Sequence, residues 1–276
     1  MSNFWVRTIW GTIYATMVIL ALMQGFLAQW VLVWVISTFC IKELLALKKI
    51  DSAFNLTFGW VLNTLILLIH PGIPEALGLV HVQDYFTMPM IGQTMLLLVV
   101  YFAIQLFRKG ITLFEETGTM VFALVYISVP SLLFLHTSGY QAGHPYHWQL
   151  PMLVFILTWS SDTFAYLTGR AFGKNKLFES LSPKKTIEGF IGGTVLTAIV
   201  AAVLGNFWNY GIWQGAVLGA MVSIAGTAGD LFESALKRQA DIKDSGRFIP
   251  GHGGALDRFD AFLFVSVVVY SWSLFK

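Results

Sequence analysis

The chain repeats one pattern from end to end: apolar runs of membrane-crossing length, separated by short polar joints. Runs of about 17 to 25 apolar residues predict transmembrane helices, because a helix rises 1.5 Å per residue and the hydrocarbon layer is about 30 Å thick. Nine such spans are expected, near residues 6–24, 26–46, 55–70, 88–107, 119–136, 150–169, 187–205, 212–237 and 259–275. The third is the shortest, because His70-Pro71 cuts it off. The expected class is an all-α polytopic integral membrane protein. The opening MSNFWVRTIW has one basic residue and no small-residue cleavage site, so it reads as part of a first span rather than a signal peptide.

The distribution of charge orients this map. With the N-terminus in the cytoplasm, the inside segments hold 16 of the 17 Lys and Arg residues, and only Lys276 falls outside. Cytoplasmic loops of membrane proteins carry such an excess, so an N-in, C-out arrangement follows for nine spans. Composition agrees: 56% of the residues are hydrophobic and 12% charged, against about 25% charged in soluble domains. Cys40 is the single cysteine, which excludes an intramolecular disulfide and a cysteine-based zinc site.

Charge also divides the chain in two. Residues 1–150 are spans joined by bland loops, expected to form a scaffold; residues 151–276 are expected to hold a reaction or binding site. In the latter, the blocks 162–188 and 230–260 carry 19 of the 32 charged residues, all on the cytoplasmic side of the map. Asp230 lies inside the eighth span, where a carboxylate facing lipid is costly; it should face a cavity, a cation or a partner. Ser223, Thr227, Asp230, Ser234 and Lys237 share a helical face by spacing, and the bland reading is a polar cluster of Asp230 with Lys237 or Arg238. Asp162 is a second intramembrane acid, to be read as a ligand-facing group or as part of an interhelical hydrogen-bonding cluster.

SPKKTIEGFIGG opens the seventh span. Ser182 and Pro183 read as an N-cap and first-turn proline, with Lys184 and Lys185 beside a helix N-terminus that would favour an anion. Plain positive-inside anchoring is the competing reading of these lysines. Gly189 and Gly193 read as a helix-packing pair. Between 230 and 260, six acids (Asp230, Glu233, Asp241, Asp244, Asp257, Asp260) alternate with five bases (Lys237, Arg238, Lys243, Arg247, Arg258). Acids at this density suit a hard cation such as Mg²⁺, and bases at this density suit phosphates. Asp257 taken alone reads as a helix cap. The phosphate-binding GxxxxGK[ST], the hydrolase GxSxG and the metalloprotease HExxH are absent, and nothing points to nucleic acid.

One run carries a more specific message. Ser234-x2-Lys237-Arg238-x4-Lys243-Asp244-x-Gly246-x2-Ile249-Pro250-x-His252-Gly253-Gly254-x2-Asp257-Arg258-Phe259-Asp260 resembles the signature of the phosphatidate cytidylyltransferases, the CDP-diacylglycerol synthases. SDTFAYLTGRAFGK and SPKKTIEG are also similar to segments of that family, so the likeness is strong over about residues 155–262. Ala255 departs from it, standing where a larger apolar residue is usual.

The resemblance implies transfer of the CMP moiety of CTP to phosphatidate, giving CDP-diacylglycerol and diphosphate at a bacterial inner membrane. It implies Mg²⁺ held by Asp230 and Asp257, with a monovalent cation such as K⁺ nearby. Lys237, Lys243, Arg247 and Arg258 are then expected to neutralise phosphates, together with Arg238. Lys184 and Lys185 contact a phosphate from the seventh helix, with Ser182 beside them, and Ser234 orients a ligand of the metal. Asp244 and Asp260 hold the bases and ligands in place, Asp162 faces substrate, and His252 is either a proton donor to diphosphate or a structural loop residue. CTP, phosphatidate and membrane lipids are the expected partners, with a homodimer left open. A CTP-dependent lipid kinase, a cytidylyltransferase of another lipid phosphate and an ion transporter are the rival readings; the one-sided charge map argues against the last.

Overall fold

A computed structural model describes residues 3–79, 83–109, 113–140, 144–246, 248 and 253–275. Arg247 and His252 therefore lie outside the described residues. Among the described residues eleven α-helices follow one another: α1 (Asn3–Met23), α2 (Phe26–Leu47), α3 (Ala53–Leu68), α4 (Gly72–Ala76), α5 (Gln83–Lys109), α6 (Leu113–Ala123), α7 (Val129–His136), α8 (Gln149–Phe172), α9 (Ile187–Phe207), α10 (Ile212–Gln239) and α11 (Leu256–Ser273). A π turn, Leu124–Ser128, joins α6 to α7 just ahead of Pro130, whose missing N–H interrupts the helical ladder. Among the described residues, six helical segments are long and apolar enough to cross a membrane, and Thr8–Met23 and Ala53–Leu68 are shorter apolar helices. The chain is thus a polytopic helical membrane protein, and each expected span coincides with a helix or helix pair.

The helices sort into two compact units. One comprises residues 1–148 with 244–258; the other comprises 149–243 with 259–276. In the first, apolar contacts alone distinguish packing against a neighbour only weakly from packing against lipid, so buried polar side chains specify the pairing. Asn63 donates to Ser37 Oγ (2.9 Å) and accepts from Ser128 Oγ (2.8 Å), tying α2, α3 and the π turn. Nearby, Glu116 Oε2 accepts from Asn55 Nδ2 and Gln105 Nε2, both at 3.0 Å, while Tyr101 Oη donates to Asn55 Oδ1.

The second unit is built on close helix crossings. Buried Gly193 lets α9 approach α8 until a Cβ at this position would lie 2.9 Å from Ala165 Cβ, as the small-residue spacing predicts. Ser161 Oγ donates to Ser223 Oγ (2.8 Å), and Thr194 Oγ1 lies 3.1 Å from the same oxygen, so three hydroxyls join α8, α9 and α10. Phe155 of α8 stacks on Phe262 of α11, and Phe232 of α10 meets Phe264.

Between α8 and α9 the sequence expectation needs correction. Residues Ser182–Thr186 do not begin a helix; they form strand β2, antiparallel to β1 (Lys176–Phe178). Helix α9 starts at Ile187, and its cap is Thr186, whose side chain accepts from the Gly189 N–H at 3.1 Å. Glu188, in the first turn of α9, reaches back to the turn preceding β1. Its carboxylate accepts from the N–H groups of Lys174 (3.0 Å) and Asn175 (3.2 Å) and from Asn175 Nδ2 (2.8 Å). Those bonds satisfy a turn that Ser182 capping would have left open. Lys184 and Lys185 consequently project from a hairpin and not from a helix N-terminus.

Candidate functional site

The polar face of α10 meets its partners within the second unit. Lys185 Nζ forms an ion pair with Asp230 Oδ2, which places the hairpin against the middle of α10. Ser234, one turn further on, donates to Asp230 Oδ1 at 3.4 Å. Lys237 does not pair with Asp230, as the bland reading of this helix had it. Its Nζ lies 2.6 Å from Glu233 Oε2, an i,i+4 pair in which the Glu233 side chain is fully buried.

Helix α11 approaches α10 at Gly229. A Cβ on that glycine would sit 2.6 Å from the Asp260 carbonyl oxygen, so only the missing side chain permits the contact. The approach brings a third carboxylate into place: one oxygen each of Asp230, Glu233 and Asp260 lie within 4.8 Å of one another. Asp260 Oδ1 also accepts from the Ala261 N–H at 2.7 Å, which orients it. Gly229→Ala should push the two helices apart; overpacking of this kind costs about 1–3 kcal/mol. A thermal melt of the detergent-solubilised variant should show a transition several degrees lower than that of the parent protein.

Beside the acids opens a cavity of about 420 Å³, within the range of small-molecule sites. Its wall includes Asp162, Arg170, Lys184, Lys185, Thr227 and Asp230, with Tyr166 and Phe190 among the aromatic and apolar lining. The cavity is thus lined by cations and carboxylates together. Asp162 is exposed and lines the cavity, and beside it on α8 the buried Ser161 bonds to Ser223.

Of the residues singled out in the sequence, the structure gathers Asp162, Lys184, Lys185 and Asp230 around one cavity, with Ser234 on Asp230. Ser182 pairs with Phe178 at the start of β2. Arg238, Lys243 and Asp244 are exposed at the end of α10 and in the segment after it, and they do not line this cavity. Arg258 is exposed on the first turn of α11. Asp257 Oδ2 accepts from the N–H groups of Ser245 (3.0 Å) and Gly254 (2.7 Å), so one of its oxygens shapes the loop ahead of α11.

Glu233 was counted among the acids but given no role from sequence. The signal was present in Asp230-x-x-Glu233, since three-residue spacing puts both on one side of a helix. Three clustered carboxylates with two ammonium partners form an all-oxygen donor set of the kind that hard divalent cations prefer.

Comparison with known proteins bears on what this geometry serves. A family model described as the cytidylyltransferase family matches residues 5–275. A Bacillus subtilis protein named phosphatidate cytidylyltransferase is 32% identical over 268 residues, covering 96% of this chain and 95% of its own. Proteins of the same name from Staphylococcus saprophyticus and Staphylococcus haemolyticus are 31% and 34% identical, covering 94% and 80% of this chain and 95% and 84% of theirs.

Proposed function

We propose that this chain, which belongs to the cytidylyltransferase family, transfers the CMP moiety of CTP to phosphatidate, giving CDP-diacylglycerol and diphosphate. The names of its relatives support the substrates. The observation that carries the chemistry is the cavity in which Arg170, Lys184 and Lys185 face Asp162 and Asp230, with Glu233 and Asp260 clustered on Asp230.

The nucleophile is a phosphate oxygen of phosphatidate, already ionised near neutral pH. It attacks the α-phosphorus of CTP in line; the new O–P bond forms as the bond to the β-phosphate oxygen breaks, and diphosphate leaves. No covalent intermediate with the protein is required. The chain's task is to hold two highly charged phosphates at reacting distance and to offset their charge. Lys184 and Lys185 supply ammonium groups from a hairpin whose shape Glu188 maintains. The Lys185–Asp230 pair keeps that ammonium aimed at the cavity before substrate arrives. Ser234 orients the Asp230 carboxylate.

The donor set fits Mg²⁺, which when bound would neutralise phosphate charge and align the two phosphates. Asp230 is its proposed ligand, with Glu233 and Asp260 in reach; Asp257 is retained as a proposed ligand on the strength of the motif alone. In this reading the protein has nine spans with the N-terminus inside, and the site faces the cytoplasm of a bacterial inner membrane. The one-sided placement of Lys and Arg supports that orientation.

The test is product analysis. Purified protein supplied with CTP, Mg²⁺ and phosphatidate should release diphosphate and form a CDP-lipid in equal amounts, and chelation of Mg²⁺ should stop both. Formation of CDP with a newly phosphorylated lipid would mark a kinase and overturn the reading.

A further inference from the structure

An acid from α2 helps to hold the described residues that lead into α11. Glu43 is buried, within a helix otherwise apolar for most of its length. Its Oε1 accepts from the Ala255 N–H (2.9 Å), and its Oε2 from the Leu256 N–H and Ser245 Oγ, both at 2.8 Å. Leu256 is the first residue of α11, so the carboxylate occupies the positive end of that helix and satisfies N–H groups with no intrahelical partner. A residue over 200 positions away thus does the work that a local Ser or Asp cap performs elsewhere.

The fit is tight on both sides of the loop. A Cβ on Gly246 would stand 2.3 Å from Glu43 Oε1, and one on Gly254 would stand 2.3 Å from Oε2. These two glycines of the motif are therefore the space that the carboxylate fills. One turn earlier on α2, Phe39 packs on Phe248, ring centroids 4.6 Å apart, so α2 seats the loop through a second contact on the same face.

From these contacts we infer that Glu43 is a positioning residue for the reaction: it sets the orientation of Asp257 by clamping the backbone that holds Asp257. The path is short. Asp257 Oδ2 is held by the N–H groups of Ser245 and Gly254. Glu43 in turn holds Ser245 through its hydroxyl and Gly254 through the adjoining Ala255 amide. Glu43 touches no reacting atom in this account, and its effect passes entirely through the loop. The inference rests on the functional reading above and on the motif's role for Asp257. It extends the machinery to the N-terminal half of the sequence, which sequence reading treats as scaffold.

Glu43→Gln tests it. An amide offers one acceptor oxygen and turns an NH₂ toward backbone N–H donors, so the clamp cannot form in full. Partners of this kind typically contribute 10–100-fold to metal affinity or activity. We expect kcat for diphosphate release to fall by about that factor, with a raised half-saturating Mg²⁺ concentration and an unchanged KM for CTP. Glu43→Asp, which keeps the charge, should recover part of the loss. Independently of turnover, amide hydrogen exchange at Ala255 and Leu256 should quicken about tenfold or more in Glu43→Gln, as expected for loss of the local hydrogen bonds.

Should Glu43→Gln fail to accumulate in folded form, Ser245→Ala carries the same test with a single hydroxyl removed. A several-fold lower kcat supports the proposal, and wild-type kcat overturns it. Faster exchange with unaltered kcat and Mg²⁺ dependence would also overturn it, reducing Glu43 to a structural cap. An inactive wild-type protein would instead sink the functional reading, and with it any role for Glu43 in that reaction, while the exchange result still reports on the clamp.

Discussion

Asp230→Asn is expected to lower the rate of diphosphate release by about 10³-fold, equivalent to roughly 4 kcal/mol of transition-state stabilisation. Asp230 is where several interactions of the site converge. Its Oδ2 pairs with Lys185, its Oδ1 accepts from Ser234, and it shares the carboxylate cluster with Glu233 and Asp260. The amide keeps the size of the side chain but removes the charge that would hold a cation, and it turns an NH₂ toward the Lys185 ammonium. The fold should survive, because the Lys185–Asp230 pair is partly exposed and such pairs contribute little to stability. The measurement is a steady-state assay with CTP and phosphatidate, paired with a thermal melt. Wild-type turnover in a well-folded variant would remove Asp230 from the chemistry.

Glu233→Gln should act first on stability. The Glu233 side chain is fully buried and that of Lys237 is 14% exposed, so their ion pair lies largely away from water. Removing one partner leaves a buried ammonium beside a neutral amide, a change that typically costs about 3–5 kcal/mol. A drop of several degrees or more in the melting temperature is expected. Glu233→Gln combined with Lys237→Met removes both charges, and buried pairs replaced together by neutral groups are often near neutral in stability. The double variant should therefore melt close to the parent while remaining inactive, because the third carboxylate of the cluster is still missing. Recovery of both stability and activity would show Glu233 to be structural only.

The membrane class and nearly every helix were legible in the sequence, because lipid imposes one rule on the backbone: each N–H and C=O must find a partner inside its own segment. Apolar length alone then marks the helices, and the boundaries at Phe26 and Ile212 follow to within a residue. The motif from Ser234 to Asp260 pointed to the family whose model matches residues 5–275. The hairpin was not legible. SPKK reads as a helix start by local rules, but it pairs with Lys176–Phe178 as a strand, and Glu188 bonds the turn ahead of that partner.

Which charges pair was equally hidden. Spacing along α10 permits Lys237 to meet Asp230 or Glu233, and offers no means of knowing that Lys185 arrives from a hairpin some 45 positions earlier in the chain. The partner of an acid is decided by which helix can come close, and at Gly229 that closeness depends on a side chain that is absent. Glu43 makes the point most sharply. The sequence by itself determined that an acid lies in an apolar helix and that glycines crowd the loop before α11. Only the tertiary structure decided that this acid fills the space those glycines leave, because hydrogen-bond partners are set by distance in space and not along the chain.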